Sequence, residues 1–205
     1  MTDTKKQLDN SPERLRKEVR DHARAFAKQL EEEAREGLKE GKCPFPAFFL
    51  FAPHLVNDHL PVLVLPVHEL LGKAEELLDR SEGEYHSEKN KIEKMVVMLV
   101  KKTGATAVIF RSDAWTSKGN KGEPITRSPF EDPNRGEAIL ISHEIREENG
   151  QVSGGMTTIR YARDKDEKPY PLPDDDECYL SSTGHTTEGR FTNFLDKAVD
   201  WETDG

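Results

Sequence analysis

The chain has 205 residues, 39 acidic and 30 basic, for a net charge of −9. That balance argues against nucleic acid as the main partner, because non-specific binding draws on lysine and arginine displacing counterions. Apolar and charged residues each make up 34%, against roughly 45–50% and about 25% in an ordinary domain, so a compact core should carry long polar segments outside it.

Cys43 and Cys178 form no C-x-x-C pair, residues 1–10 hold no apolar h-region, and no apolar run approaches the roughly 20 residues that cross a bilayer. A reducing cytoplasm is the expected home, with no membrane contact. Residues 1–10 are read as a disordered N-terminus.

Ser11-Pro12-Glu13 supplies an N-cap, a proline at N1 and an acid in the first turn, which starts a helix. Leu15, Val19, Ala23, Phe26, Leu30 and Ala34 recur at three- and four-residue steps until Gly37 and Gly41. The drift from a strict seven-residue repeat favours packing on a globular core over a coiled coil.

After Cys43-Pro-Phe-Pro46, six apolar residues at 47–52 read as a strand buried on both faces. Residues 54–59 read as a turn and 60–65 as a returning strand, with Pro61 and Pro66 confined to its ends or to a sheet edge. Residues 68–80 are helical in pattern, 81–86 read as a loop, and Ser87 is a candidate cap for a helix whose stripe is Ile92, Met95, Val96 and Leu99. Thr103-Gly104 stops it.

A strand at 105–115 leads into a polar stretch at 116–135, of a length that is usually functional or disordered. Residues 137–148 alternate as a strand, and Asn149-Gly150 is read as a two-residue hairpin turn that pairs Glu148 with Gln151 and sets His143 opposite Met156. Gly154-Gly155 in the partner strand marks a bulge or a close backbone approach.

From 164 to 189 the chain is acidic and proline-rich, and is expected to be a flexible linker. Residues 190–202 follow as an amphipathic helix. The fold class is therefore α+β: a single domain over 11–163, with a roughly five-stranded, mainly antiparallel sheet and helices on one face. Its element order is profilin-like or roadblock-like, and an acidic C-terminal arm is appended.

No nucleophile elbow, thiol-enzyme signature or P-loop context is present. His54, Asp58 and His59, with His68 nearby, form the candidate metal set, because imidazole and carboxylate donors near one turn suit a divalent cation with an open position for water. His143-Glu144 reads as a catalytic pair, but strand alternation puts the two side chains on opposite faces. Asp113-Ala-Trp115 ends a strand beside the long polar stretch, where Trp115 would stack on a ligand with Asp113 and Arg111 supplying polarity, or else close the core. In the C-terminal helix, Phe191, Phe194, Leu195 and Trp201 are candidate anchors for a protein partner.

Between residues 92 and 146 the chain resembles small bacterial and phage proteins. In these a helix leads to a strand ending acid-Ala-Trp and then to a Pro-x-Arg-x-Glu strand entry; here the pieces are Asp113-Ala-Trp115 and Pro133-Asn-Arg-Gly-Glu137. The resemblance implies a prokaryotic or viral source and brings no activity with it. The leading expectation is a non-enzymatic binding or adaptor protein without a cofactor. The alternatives are a metal-dependent hydrolase at His54, Asp58 and His59, and a structural subunit that forms homodimers.

Overall fold

Two glycines set the ends of the two long helices. The computed structural model describes residues 12–53, 62–78, 82–116, 135–173 and 193–200. Helix α1, Pro12–Lys39, ends where Gly41 takes a φ of 73°; its N–H donates to Leu38 O and that of Lys42 to Gly37 O. The same paired bonds close the later helix Glu82–Thr103 at Gly104, φ 57°, with Gly104 N–H to Lys101 O and Ala105 N–H to Val100 O. A left-handed residue there satisfies carbonyls that the last helical turn leaves without partners.

The remaining elements are β1 (Ala47–Phe51), β2 (Val62–Pro66), α2 (His68–Leu78), the helix just named as α3, β3 (Ala107–Thr116), β4 (Gly136–Arg146), β5 (Val152–Arg163), β6 (Pro169–Pro171) and α4 (Phe194–Asp200). All neighbouring strands run antiparallel, in the order β2-β1-β3-β4-β5-β6. The α+β class and the antiparallel sheet agree with the sequence, but the described residues form six strands where about five were expected. Helix α3 also starts five residues before the expected cap at Ser87.

The sixth strand falls inside the stretch read as linker. Asp164 Oδ1 accepts the N–H groups of Asp166 and Lys168, Glu167 adopts φ 60°, and the turn returns the chain so that Tyr161 pairs with Pro171. Leu172 N–H then donates to Arg160 O. Hydrogen bonds local to an aspartate thus offset ordering entropy that composition alone does not. The folded domain passes 163 and reaches at least Pro173; residues 174–189 lie outside the described residues.

The helices cover both faces rather than one. Every residue of β1 is buried, so its alternating side chains fill two cores. Phe49, Phe51, Ile109, Ile139 and Ile141 pack with Val19, Ala23, Leu30 and Leu38 of α1. Phe48, Leu50, Val108 and Phe110 pack with Leu71, Val96 and Val100 of α2 and α3, and with Phe194 and Leu195 of α4.

The β4–β5 turn has three loop residues, not two. Glu147 N–H donates to Gln151 O, Gly150 N–H donates to Glu147 O, and Gly150 alone in the turn has positive φ, 83°. A two-residue type I′ turn needs positive φ at Asn149 as well. The pairing therefore shifts by one residue, and His143 faces Gly155 while Met156 faces Ser142. Of the two readings of Gly154-Gly155, the close approach is the one realised.

Candidate binding surface

On β3 the side chains of Arg111, Asp113 and Trp115 alternate onto the α1 face, in line with Ile109 of that core. The C-terminal end of α1 lies near this end of the sheet: Glu33 Oε2 is 3.7 Å from Arg111 Nη1, and Gly41 packs beside Lys168 of the β5–β6 turn. Past that point the apolar pattern of the strands gives way to polar and aromatic side chains. Trp115 pairs with Glu137, Glu137 with Tyr161 and Tyr161 with Pro171, forming one row across four strands.

Two residues along β5 from that row, Arg163 Nε donates to both carboxylate oxygens of Glu137, at 3.1 and 3.0 Å. This forked contact holds the guanidinium protonated, with its pKa raised first by that hydrogen bond. Tyr161 Oη donates to Glu137 at 3.4 Å, and burial is the main cause that pushes its phenol upward. Burial likewise raises the Cys43 thiol, against a lowering influence of the neighbouring Tyr161. A thiol held protonated is a poor nucleophile.

Two cations sit against rings. The Arg135 guanidinium lies 3.8 Å from the centroid of Trp115, whose side chain is 44% exposed. Trp115 therefore does not close the core. Arg111 is buried, 5.7 Å from the Phe49 ring and 5.9 Å from that of Phe45, and its Nε has no hydrogen-bond partner. Burial lowers its pKa, and Glu33 opposes that effect.

Of the four candidate C-terminal anchors, two are among the described residues, and both are buried. Phe194 and Leu195 are 1% and 2% exposed, inside the molecule's own core, so neither is presented to a partner. Phe191 and Trp201 lie outside the described residues, as do His54, Asp58 and His59. His68 opens α2 with its ring 5.8 Å from that of Phe45. Among the described residues, no three His, Cys, Asp or Glu side chains converge as a metal site, and no helix is long and apolar enough to cross a membrane. His143 and Glu144 do occupy opposite faces: burial and Arg24 lower the histidine's pKa, while the carboxylate receives backbone N–H groups of α4.

Sequence reading missed Cys43, Glu137, Tyr161 and Arg163. The signal was there: Glu137 on one strand, and Tyr161 and Arg163 two apart on the next, continue the face of Ile139 and Ile159 with polar groups. No known family, curated protein or solved structure matches this chain. Its function is therefore argued from its own side chains.

Proposed function

We propose that this is a non-enzymatic binding or adaptor protein, of bacterial or phage origin, that recruits a protein partner through the sheet and loop surface around Trp115. The observation that carries the reading is the exposed indole under Arg135, next to the Arg163–Glu137 fork. Tryptophan, tyrosine and arginine dominate interface energetics, and here they share one rigid sheet end. The C-terminal helix contributes Phe194 and Leu195 to the protein's own core, which leaves recruitment to the β3–β6 surface.

The test is site-specific photo-crosslinking in the source cell from position 115, with position 101, an exposed lysine of α3, as control. One partner should be captured from 115 and not from 101, and Trp115→Ala should abolish its binding while leaving the melting temperature unchanged. A Trp115→Ala protein that melts several degrees lower and captures the same partner refutes the reading.

A further inference from the structure

Arg111 is a charge that the fold buries without completing. It pairs with Ala47 of β1 on one side and Ile141 of β4 on the other, both buried, so its stem runs between apolar groups. The side chain keeps 9% of its surface in contact with solvent. Among the described residues nothing accepts a hydrogen bond from its enclosed Nε. Glu33 Oε2, at 3.7 Å from Nη1, is beyond hydrogen-bonding distance. Glu33 is also half-exposed, and its other oxygen accepts from Gln29 at 2.9 Å. A surface carboxylate at that distance offsets little of the cost of taking a guanidinium out of water. The fold gives Arg163 both oxygens of Glu137 and leaves Arg111 short of a partner.

The surroundings define what completes it. The guanidinium lies 5.7 Å from the centroid of the buried Phe49 ring and 5.9 Å from that of Phe45, which is 57% exposed, so one wall beside the charge reaches solvent. Planar N–H groups next to an open ring suit a planar anion joined to an apolar body. Glu33 and the exposed Asp113, two residues along the same strand face, already place negative charge here. A monoanion meets that field at lower cost than a doubly charged phosphate. We propose that Arg111 is the centre of a binding site for a carboxylate carried on an aromatic or aliphatic group, which takes the place of Glu33 beside Nη1 and lies against Phe45. A free organic acid and the C-terminal carboxylate of a chain ending in an apolar residue both present this chemistry. The site goes beyond recruitment at Trp115 and needs no partner there.

The test titrates isotope-labelled, full-length protein with benzoate as the free acid and N-acetylphenylalanine as the chain end, each against its neutral amide. At least one acid should bind with a Kd on the order of 1 mM or tighter, shift the side-chain Nε–H resonance of Arg111 and raise the melting temperature. The amides should do neither, and the acid that binds more tightly identifies the source of the carboxylate. Arg111→Met replaces the guanidinium with an apolar chain of similar length; it should melt at or above wild type and lose the effect of the acid. An acid that stabilises Arg111→Met as much as wild type overturns the proposal. The wild-type titration decides even where that variant does not fold: equal effects of acid and amide, or an Arg111 resonance that neither acid moves, overturn it as well.

Discussion

The imidazole of His143 rests on Gly155: a Cβ added at that glycine would lie 2.7 Å from Cε1 and 3.1 Å from Nε2 of the ring. The two residues are direct partners across β4 and β5. Gly155→Ala should therefore force the ring off its seat and destabilise the protein by about 1–3 kcal/mol, although alanine ordinarily stiffens the unfolded chain and helps. In urea denaturation, His143→Ala on the Gly155→Ala background should recover most of the loss, giving a coupling energy of opposite sign to the single penalty. Additive effects of the two changes would show that the ring is not held there.

His143 also gives stability a pH dependence of known sign. Burial first, and the positive Arg24 second, hold its pKa below the usual imidazole value. The unfolded chain, titrating near about 6.5, then takes up a proton where the folded one does not. The histidine's contribution is whole above that pH and declines as pH falls toward the lowered folded value. Denaturation from pH 7.5 to 5.5 should show wild type losing ground against His143→Gln. A difference that is flat across this range contradicts it.

Much of this fold was readable because the relevant signals are local. The glycine stops at 41 and 104, the buried run of β1 and the alternation of β4 each follow from a few adjacent residues. What was misread depends on bonds that composition does not show. The turn at Asp164 looks like disordered acid, yet its Oδ1 organises the β5–β6 return. Asn149-Gly150 suits two turn types, and the added bulge residue decides the register. The surface around Trp115 was half legible: Arg111, Asp113 and Trp115 are consecutive on one strand face, but Cys43, Glu137, Tyr161 and Arg163 join them only through strand pairing.

Phe194 separates an amphipathic helix kept for a partner from one that completes the core. At 1% exposure, edge-on to Phe48, it should behave as a core residue. Phe194→Ala should cost about 3–5 kcal/mol, which at this chain length lowers the melting temperature by roughly 2–4 °C per kcal/mol. Calorimetry that finds the variant as stable as wild type would mean that the helix contributes little to the fold.

Glu144 supplies the opposite pH signature, one residue along and on the other face. Burial is the largest influence and raises its pKa, against the lowering effect of N–H groups from Leu195, Asn193 and Phe194, while Asp196 adds to the rise. A carboxyl raised in the folded state binds more protons there than in the unfolded chain. Its contribution is therefore fully present below about 4.5, the unfolded value, and is lost as pH rises through the folded one. Acidification from neutral should favour wild type over Glu144→Gln, whatever the offset between them at pH 7. Glu144→Ala removes the acceptor of the Asn193 and Leu195 N–H groups and should lower stability by about 1 kcal/mol, with faster hydrogen exchange at Lys197 and Ala198 before any global unfolding. A wild-type advantage over Glu144→Gln that shrinks on acidification would reverse the sign and show that the N–H groups outweigh burial.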